Sequence, residues 1–456
     1  MKLENVFRNL PEIEGPTEKK LAFNVKLKWT LIVLAIFFVL ANIPLYGLSN
    51  DALSRFSSLE AILGADFGSI ISLGIGPIVM ASIILQLLVG SKILNIDVTT
   101  KEGKKYFQGL QKLLVFFFIF FEASIYVLMK GLEAMPGYTW ILIAQLCLGG
   151  LAIMFMDEIT SKWGFGSGVS LFIAAGVSRS IFTVLFQFLS AQGSFAPSGK
   201  VLVFITSLIS NPPNTTGAIL AGSAILVTIG IFLIVVWVQS LKVEIPLSYD
   251  RIRGYGMKWP LAFFYTSVIP VILVSALAAN IQLFGSLLQN WLGHPTFLGA
   301  YSSNGIIEGG FSYWIGNVDL LTAIVTNSFQ SVMIWQVLGH VGFYVFFSTI
   351  FALFWVKTSG MDAASQAKNI MSSGLTIPGF RKDERILESV LNRYILPLTL
   401  MGGFSIGLLA SLSNTLGAVV AGTSILLVIM IMYQFYQNIA QQHAVDMHPA
   451  LKKIMK

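Results

Sequence analysis

The sequence predicts an all-α integral membrane protein: ten transmembrane helices in two pseudo-symmetric halves of five. Three observations predict it. The 456 residues are 55% hydrophobic and 11% charged, with 35 Phe against 29 Lys and Arg, where a soluble domain is about 25% charged. Long stretches carry no charge at all: 29–48, 67–91, 134–156, 320–356 and 394–445. A membrane helix needs roughly 20 apolar residues and a barrel strand about 10 that alternate; these stretches do not alternate, so they read as helices. The Lys and Arg residues fall almost entirely on every second connection, the pattern of a chain that crosses a bilayer repeatedly.

The segment 1–28 carries Glu4, Glu12, Glu14 and Glu18 and has no apolar core, unlike a cleavable signal peptide. The first span is 29–45. A short amphipathic piece, 53–64, follows between Asp51 and Asp66; Leu53, Phe56, Leu59 and Leu63 share one helical face. The second span, 74–90, opens on GIGPIV, with Pro77 in the first turn where a missing N–H costs little. The third, 113–129, contains Glu122, and the fourth is 138–156. A glycine-rich turn, GFGSG at 164–168, leads into the fifth, 168–188, which contains Arg179. The connection 190–216, rich in Ser, Pro, Gly and Asn, is the candidate hinge between a first half, 29–200, and a second half, 201–437. In the second half the spans are 217–239, 260–283, 335–356, 395–412 and 417–437, the last two split by the turn-forming SLSNT at 411–415. The large connections 242–259 and 357–393 carry Arg251 and Arg253, and Arg381, Lys382 and Arg385; the tail is 438–456.

With the N-terminus inside, 25 of the 29 Lys and Arg face the cytoplasm, leaving Arg55, Lys130, Arg179 and Lys200 outside or within a span. Both termini are then cytoplasmic in a multi-pass protein. Halves of five spans have opposite orientation, the outline of an inverted repeat.

The composition excludes a soluble enzyme, a disordered chain and an ordinary nucleic-acid binder. The single Cys147 excludes an intramolecular disulfide and any CxxC motif. There is no GxxxxGK[ST] and no HExxH, and His294, His340, His443 and His448 are scattered. No cofactor, metal site or catalytic residue is expected. Glu122 is the clear intramembrane ionisable group; it reads either as a carboxyl facing the bundle interior or as a polar contact at a moving helix interface, since lipid exposure costs roughly 2.5–3.5 kcal/mol. GFGSG reads as a turn, because a phosphate loop would continue with Lys. The two basic connections read either as topology-fixing charge or as a docking surface for an anionic partner.

Motifs spread over nearly the whole chain carry a resemblance: LGIGPIV (73–79), QLLVG (86–90), FQGLQKLL (107–114), DEITSKWGFGSGVSLFIAAG (157–176), NIQL (280–283), PGFRK (378–382) and HPA (448–450). Together they resemble SecY, the large alpha subunit of the Sec protein translocon, in its archaeal/eukaryotic-type branch. The resemblance implies a channel, not an enzyme, built as a clamshell around an hourglass pore. Its constriction would be an apolar ring of Ile75, Val79, Val169, Ile173, Ile272 and Leu427, and 53–64 would be a plug helix. A lateral gate between spans two/three and seven/eight, with Glu122 and Asn280 as polar contacts, would release membrane segments into lipid. Arg251, Arg253, Arg381 and Lys382 would dock the ribosome. Two small membrane subunits, SecE/gamma-like and beta-like, signal sequences and nascent polypeptides complete the implied partners, in a cell membrane. Two positions depart from the pattern: Met80 stands where relatives carry a gate hydroxyl, and KVEIPL (242–247) stands where relatives have paired Arg. A ten-span secondary transporter and a structural scaffold are the competing classes; the first needs a polar midplane site, the second no plug-like piece.

Overall fold

A computed structural model describes residues 10–17, 21–49, 68–91, 93–96, 100–129, 131–188, 198–210, 214–249, 256–266, 268–302, 307–372, 375–376 and 383–447. Among them nine helices are long and apolar enough to cross a membrane, and a tenth, 15 residues long, is as apolar but shorter. In chain order the first five are α1 (Phe23–Ala41), α2 (Gly76–Gly90), α3 (Lys101–Leu128), α4 (Thr139–Trp163) and α5 (Gly168–Phe186). A short helix α6 (Lys200–Ile209) precedes α7 (Thr215–Ser240). Strands β1 (Lys242–Tyr249) and β2 (Gly256–Ala262) lead to α8 (Ile269–Leu292). Then come β3 (Ala300–Tyr301), β4 (Ile307–Gly309), α9 (Phe311–Ile315), α10 (Leu320–Val325) and α11 (Val332–Thr358). The chain continues through α12 (Ala363–Ser372), β5 (Leu375–Thr376), α13 (Glu384–Thr415) and α14 (Gly422–Met447).

Packing separates two sets of five long helices. In the first, α4 touches α1, α3 and α5, and α2 lies on α3. In the second, α11 packs on α8 and α13, and α14 on α7 and α13. The sets meet along two seams: α2 against α8 and α11, and α14 against α5 and α1. Helix α6 bridges α5 and α7. One apolar core runs through both sets, from Val33 and Phe37 of α1 to Ile431 of α14.

Several boundaries differ from the sequence expectation, each for a physical reason. The seventh span begins at Ile269, not 260: WPLAFF belongs to β2 and the turn after it, and Pro270 in the first turn marks the true helix start. SLSNT does not split the last two spans. Its Ser411 and Ser413 hydroxyls bond back to the carbonyls of Leu408 and Leu409, so α13 continues to Thr415 and the break falls at 416–421. The third and ninth spans start about a dozen residues early, at Lys101 and Glu384, because charged helical turns extend beyond the apolar run. The hinge connection 190–216 contains α6, whose apolar face finds partners on both neighbours.

The two large basic connections form one body. β1 pairs antiparallel with β2 over seven residue pairs, from Lys242↔Ala262 to Ser248↔Gly256. Its far end pairs with β5 at Ser248↔Thr376 and Tyr249↔Leu375. A second, smaller core lies beneath this sheet, joining Ile245 and Leu261 to Ala367 of α12 and Leu391 of α13. Tyr265 Oη donates to the Met361 carbonyl at 2.6 Å, tying the two connections together. A buried polar node fixes the opposite end of the second set. His340 of α11 meets the Ile315 carbonyl through Nδ1 at 2.8 Å and Asn414 Nδ2 through Nε2 at 3.2 Å. The Thr423 amide donates to Asn414 Oδ1 at 2.9 Å, which orients the amide so that its NH2 faces the imidazole.

The 10–17 stretch is strapped to the end of α4. Lys162 Nζ donates to Glu12 Oε1 at 2.7 Å and to the Ile13 carbonyl, and Trp163 Nε1 donates to the Glu14 carbonyl at 3.0 Å. The hydrogen bond from Lys162 holds the Glu12 carboxyl below its ordinary range.

Candidate functional site

The six aliphatic residues expected to form a constriction come from four helices, and five of them belong to the apolar core that runs through both helix sets. Ile75, Val79, Ile173, Ile272 and Leu427 are 1%, 3%, 0%, 4% and 1% exposed, so they face neither lipid nor open water. Val169 is half-buried and packs against the same core. Their helices are in contact in sequence: α2 with α8, α8 with α14, α14 with α5. Each of the six lies within the first two turns of its helix or just before it. Nothing polar is supplied among these six side chains, so the only property they share is apolar bulk.

The start of α5 is held by Asp157 of α4. Its Oδ1 accepts the Val169 amide at 2.9 Å, as a capping side chain does, and the Ser167 hydroxyl caps the Ser170 amide. Gly168 sits so close that a Cβ there would lie 2.5 Å from Asp157 Cα. The GFGSG turn is therefore spent on docking α5 against α4, and the Val169 amide that a phosphate would need is taken by a carboxylate. No periodicity in the sequence links the Asp157 carboxylate to an amide 12 residues on.

The two polar residues expected at the gate lie on α3 and α8. Glu122 is 1% exposed, and its Oε1 has no hydrogen-bond partner. Asn280 is 3% exposed and donates to the Ala276 carbonyl of its own helix at 2.8 Å. The two side chains do not bond to each other. Met80 is half-buried against the core; the hydroxyl contact between α2 and α3 comes instead from Ser82, whose Oγ accepts from Gln111 Nε2 at 2.8 Å. Gln86 Oε1 on α2 is a second buried acceptor without a partner.

Other expected residues lie elsewhere. Leu53, Phe56, Leu59 and Leu63, and Arg251, Arg253, Arg381 and Lys382, fall outside the described residues. Among the described residues, the end of β1 at Ser248 and Tyr249 pairs with β5 at Thr376 and Leu375. Arg179 is exposed on α5. Among the described residues no group of three or more His, Cys, Asp or Glu is placed to hold a metal ion.

Comparison with known proteins gives a consistent result. A SecY family profile matches residues 69–436, and a profile for the plug domain of Sec61p matches residues 36–68. The protein translocase subunit SecY of Methanothermobacter thermautotrophicus is 43% identical over 461 aligned residues, covering 100% of this chain and 98% of that protein. That of Methanocaldococcus jannaschii is 38% identical, covering 100% and 99%. A solved protein-conducting channel superposes with a TM-score of 0.83 at 37% identity, covering 99% of each chain. Sec61 in the canine ribosome-channel complex from the endoplasmic reticulum does so at 0.80, also at 37% identity and 99% of each chain.

Proposed function

The chain belongs to the SecY family, and on that premise we propose how its parts work as the pore-forming subunit of a protein-conducting channel. The observation that supports the proposal is that Ile75, Val79, Ile173, Ile272 and Leu427 are buried in the apolar core shared by the two helix sets, with Val169 packed against it, at the starts of helices that touch one another. A narrow ring of aliphatic side chains disfavours water and ions by dewetting, yet it can deform around a passing polypeptide. A transporter of small polar solutes would need hydrogen-bonding groups there. Residues 53–64 act as a plug on the outer side.

The α2 seam with α8 and α11 is the lateral gate. Opening it exposes the channel interior to lipid, so a segment of roughly 20 apolar residues leaves sideways while a polar one continues across. Glu122 supports a gating role: a buried acceptor without a partner makes the shut seam less favourable than a fully satisfied one would be. Both termini and the β1–β2 hairpin face the cytoplasm, in a cell membrane. Two small membrane subunits, SecE/gamma-like and beta-like, assemble with the chain. Binding energy and chain elongation come from a partner, with the chain itself contributing no catalysis.

The docking partner is the ribosome, as in the Sec61 complex described above. In sequence, Arg251 and Arg253 lie just after β1 and Arg381 and Lys382 a few residues after β5, and the two strands pair with each other, which supports reading the two basic clusters as one docking surface. Charge reversal at Arg251 and Arg381 together is expected to weaken ribosome binding and to flatten its salt dependence, because each phosphate contact contributes a slope of about −0.9 or less to log K against log salt. The loss is largest at low salt, with membrane insertion unchanged. Binding that stays the same across a salt titration would leave these residues with a topological role only.

A further inference from the structure

The gate seam closes at the hairpin end on a contact that neither the apolar ring nor the polar gate residues explain. Gly90 is the last residue of α2, and Phe354 lies four residues before the end of α11. A Cβ added at Gly90 would meet three atoms of one ring: Cδ1 at 2.4 Å, Cγ at 2.8 Å and Cε1 at 3.0 Å. The ring therefore lies directly over the glycine Cα. A ring has no flexible end to fold aside, and Phe354 is itself half-buried and packed against the main core. Any side chain at position 90 must displace the Phe354 ring from the seam or part α2 from α11. Elsewhere the same change is free: Gly230 on α7 and Gly342 on α11 have nothing within 4 Å of an added Cβ. Close approaches also occur at other helix contacts, such as Gly149 and Gly407, but Gly90 places one across the α2–α11 seam itself.

We propose that Gly90 and Phe354 form a latch across the gate and determine how apolar a targeting segment must be to part it. This rests on the channel reading above, which places their end of the seam on the cytoplasmic side, where such a segment arrives. The logic is one of competition. A segment entering the seam replaces helix–helix contacts with its own. The better the seam closes at its entry, the more apolar surface the segment must offer. With Gly90 in place the ring and backbone come together without a gap. A methyl at position 90, or loss of the ring, raises the free energy of the shut seam relative to the open one. Segments of lower hydrophobicity then suffice.

The test uses the full chain with its two small subunits in vesicles, and two precursors: one with its own signal, one whose apolar stretch is interrupted by a charged residue. Gly90→Ala and Phe354→Ala are each expected to increase import of the weakened precursor about fivefold or more, within the usual range of coupling between two states, while import of the intact precursor changes little. Gly230→Ala and Gly342→Ala, which make the same helix-favouring change in open space, are expected to leave the selectivity as it is. The decisive arm is the double variant. With the ring gone a methyl at position 90 has room, so Gly90→Ala is expected to add nothing on the Phe354→Ala background. Additive effects, or selectivity unchanged in both single variants when thermal unfolding shows them folded, would overturn the latch. Failure of the unmodified chain to import the intact precursor would instead overturn the channel reading, so the two failures are distinguishable.

Discussion

Replacing Ile75, Val79, Ile272 or Leu427 by asparagine is expected to raise resting ion conductance in planar bilayers by about fivefold per substitution. The figure follows from about 1 kcal/mol for one net hydrogen bond offered to water in the constriction. The four positions come from α2, α8 and α14, which touch one another in that order. All are below 5% exposed, at 1%, 3%, 4% and 1%. An amide placed there gives water a partner where the proposed ring gives none, and on this reading dewetting keeps the constriction dry. Leu226 of α7, by contrast, is 71% exposed. Its replacement by asparagine would face lipid and leave conductance unchanged. Equal conductance for the ring variants and the unmodified chain would mean that the seal lies elsewhere.

Gly149→Val is expected to have the largest effect on the fold, about 4 kcal/mol or more, as overpacking against backbone can produce. Gly149 lies in α4, where an added Cβ would sit 1.8 Å from the Ile70 carbonyl oxygen and 2.7 Å from its carbon. That obstacle is main chain and cannot rotate away. Residues 68–75 run through a series of turns directly into α2, and Ile71 and Leu73 of this stretch are both 0% exposed. Displacing Ile70 therefore moves the entry to α2 and with it Ile75. Thermal unfolding in detergent is the measurement: Gly149→Ala should already lower the midpoint, and Gly149→Val should prevent accumulation of folded protein. Gly342→Ala, in open space, should do neither. An unchanged midpoint for Gly149→Ala would contradict this close packing.

Much of the architecture is legible in the sequence because a bilayer is a severe solvent. Backbone polar groups must be satisfied within each segment, so an uncharged apolar run is a helix, and Lys and Arg record its orientation. The proposed ring residues are singled out only through resemblance at motifs such as GIGPIV and GVSLFI, since Ile75 or Leu427 is no different in type from the exposed Leu226. What the sequence conceals is contact between distant segments. The hairpin is hidden because KVEIPLSY alternates over only eight residues and its partner strand merges with the apolar start of a helix. The pairing of β1 with β5 joins residues more than 120 positions apart. Asp157 beneath Val169, His340 against Asn414 and Phe354 over Gly90 are each a product of packing, and no local pattern announces them. Glu122 is conspicuous in the sequence because an ionisable residue in a span is costly, and the structure adds that its Oε1 is buried with no partner.

The central claim is that a translocating polypeptide passes through the ring formed between the two helix sets. A photoreactive side chain placed at position 75 or 427, with a stalled secretory chain engaged, measures this directly. The account expects crosslinks from both positions to the part of the stalled chain that spans the membrane, and none from the same probe at the lipid-exposed Leu226. Crosslinks from position 226 but not from 75 and 427 would place the path outside the ring and contradict the account.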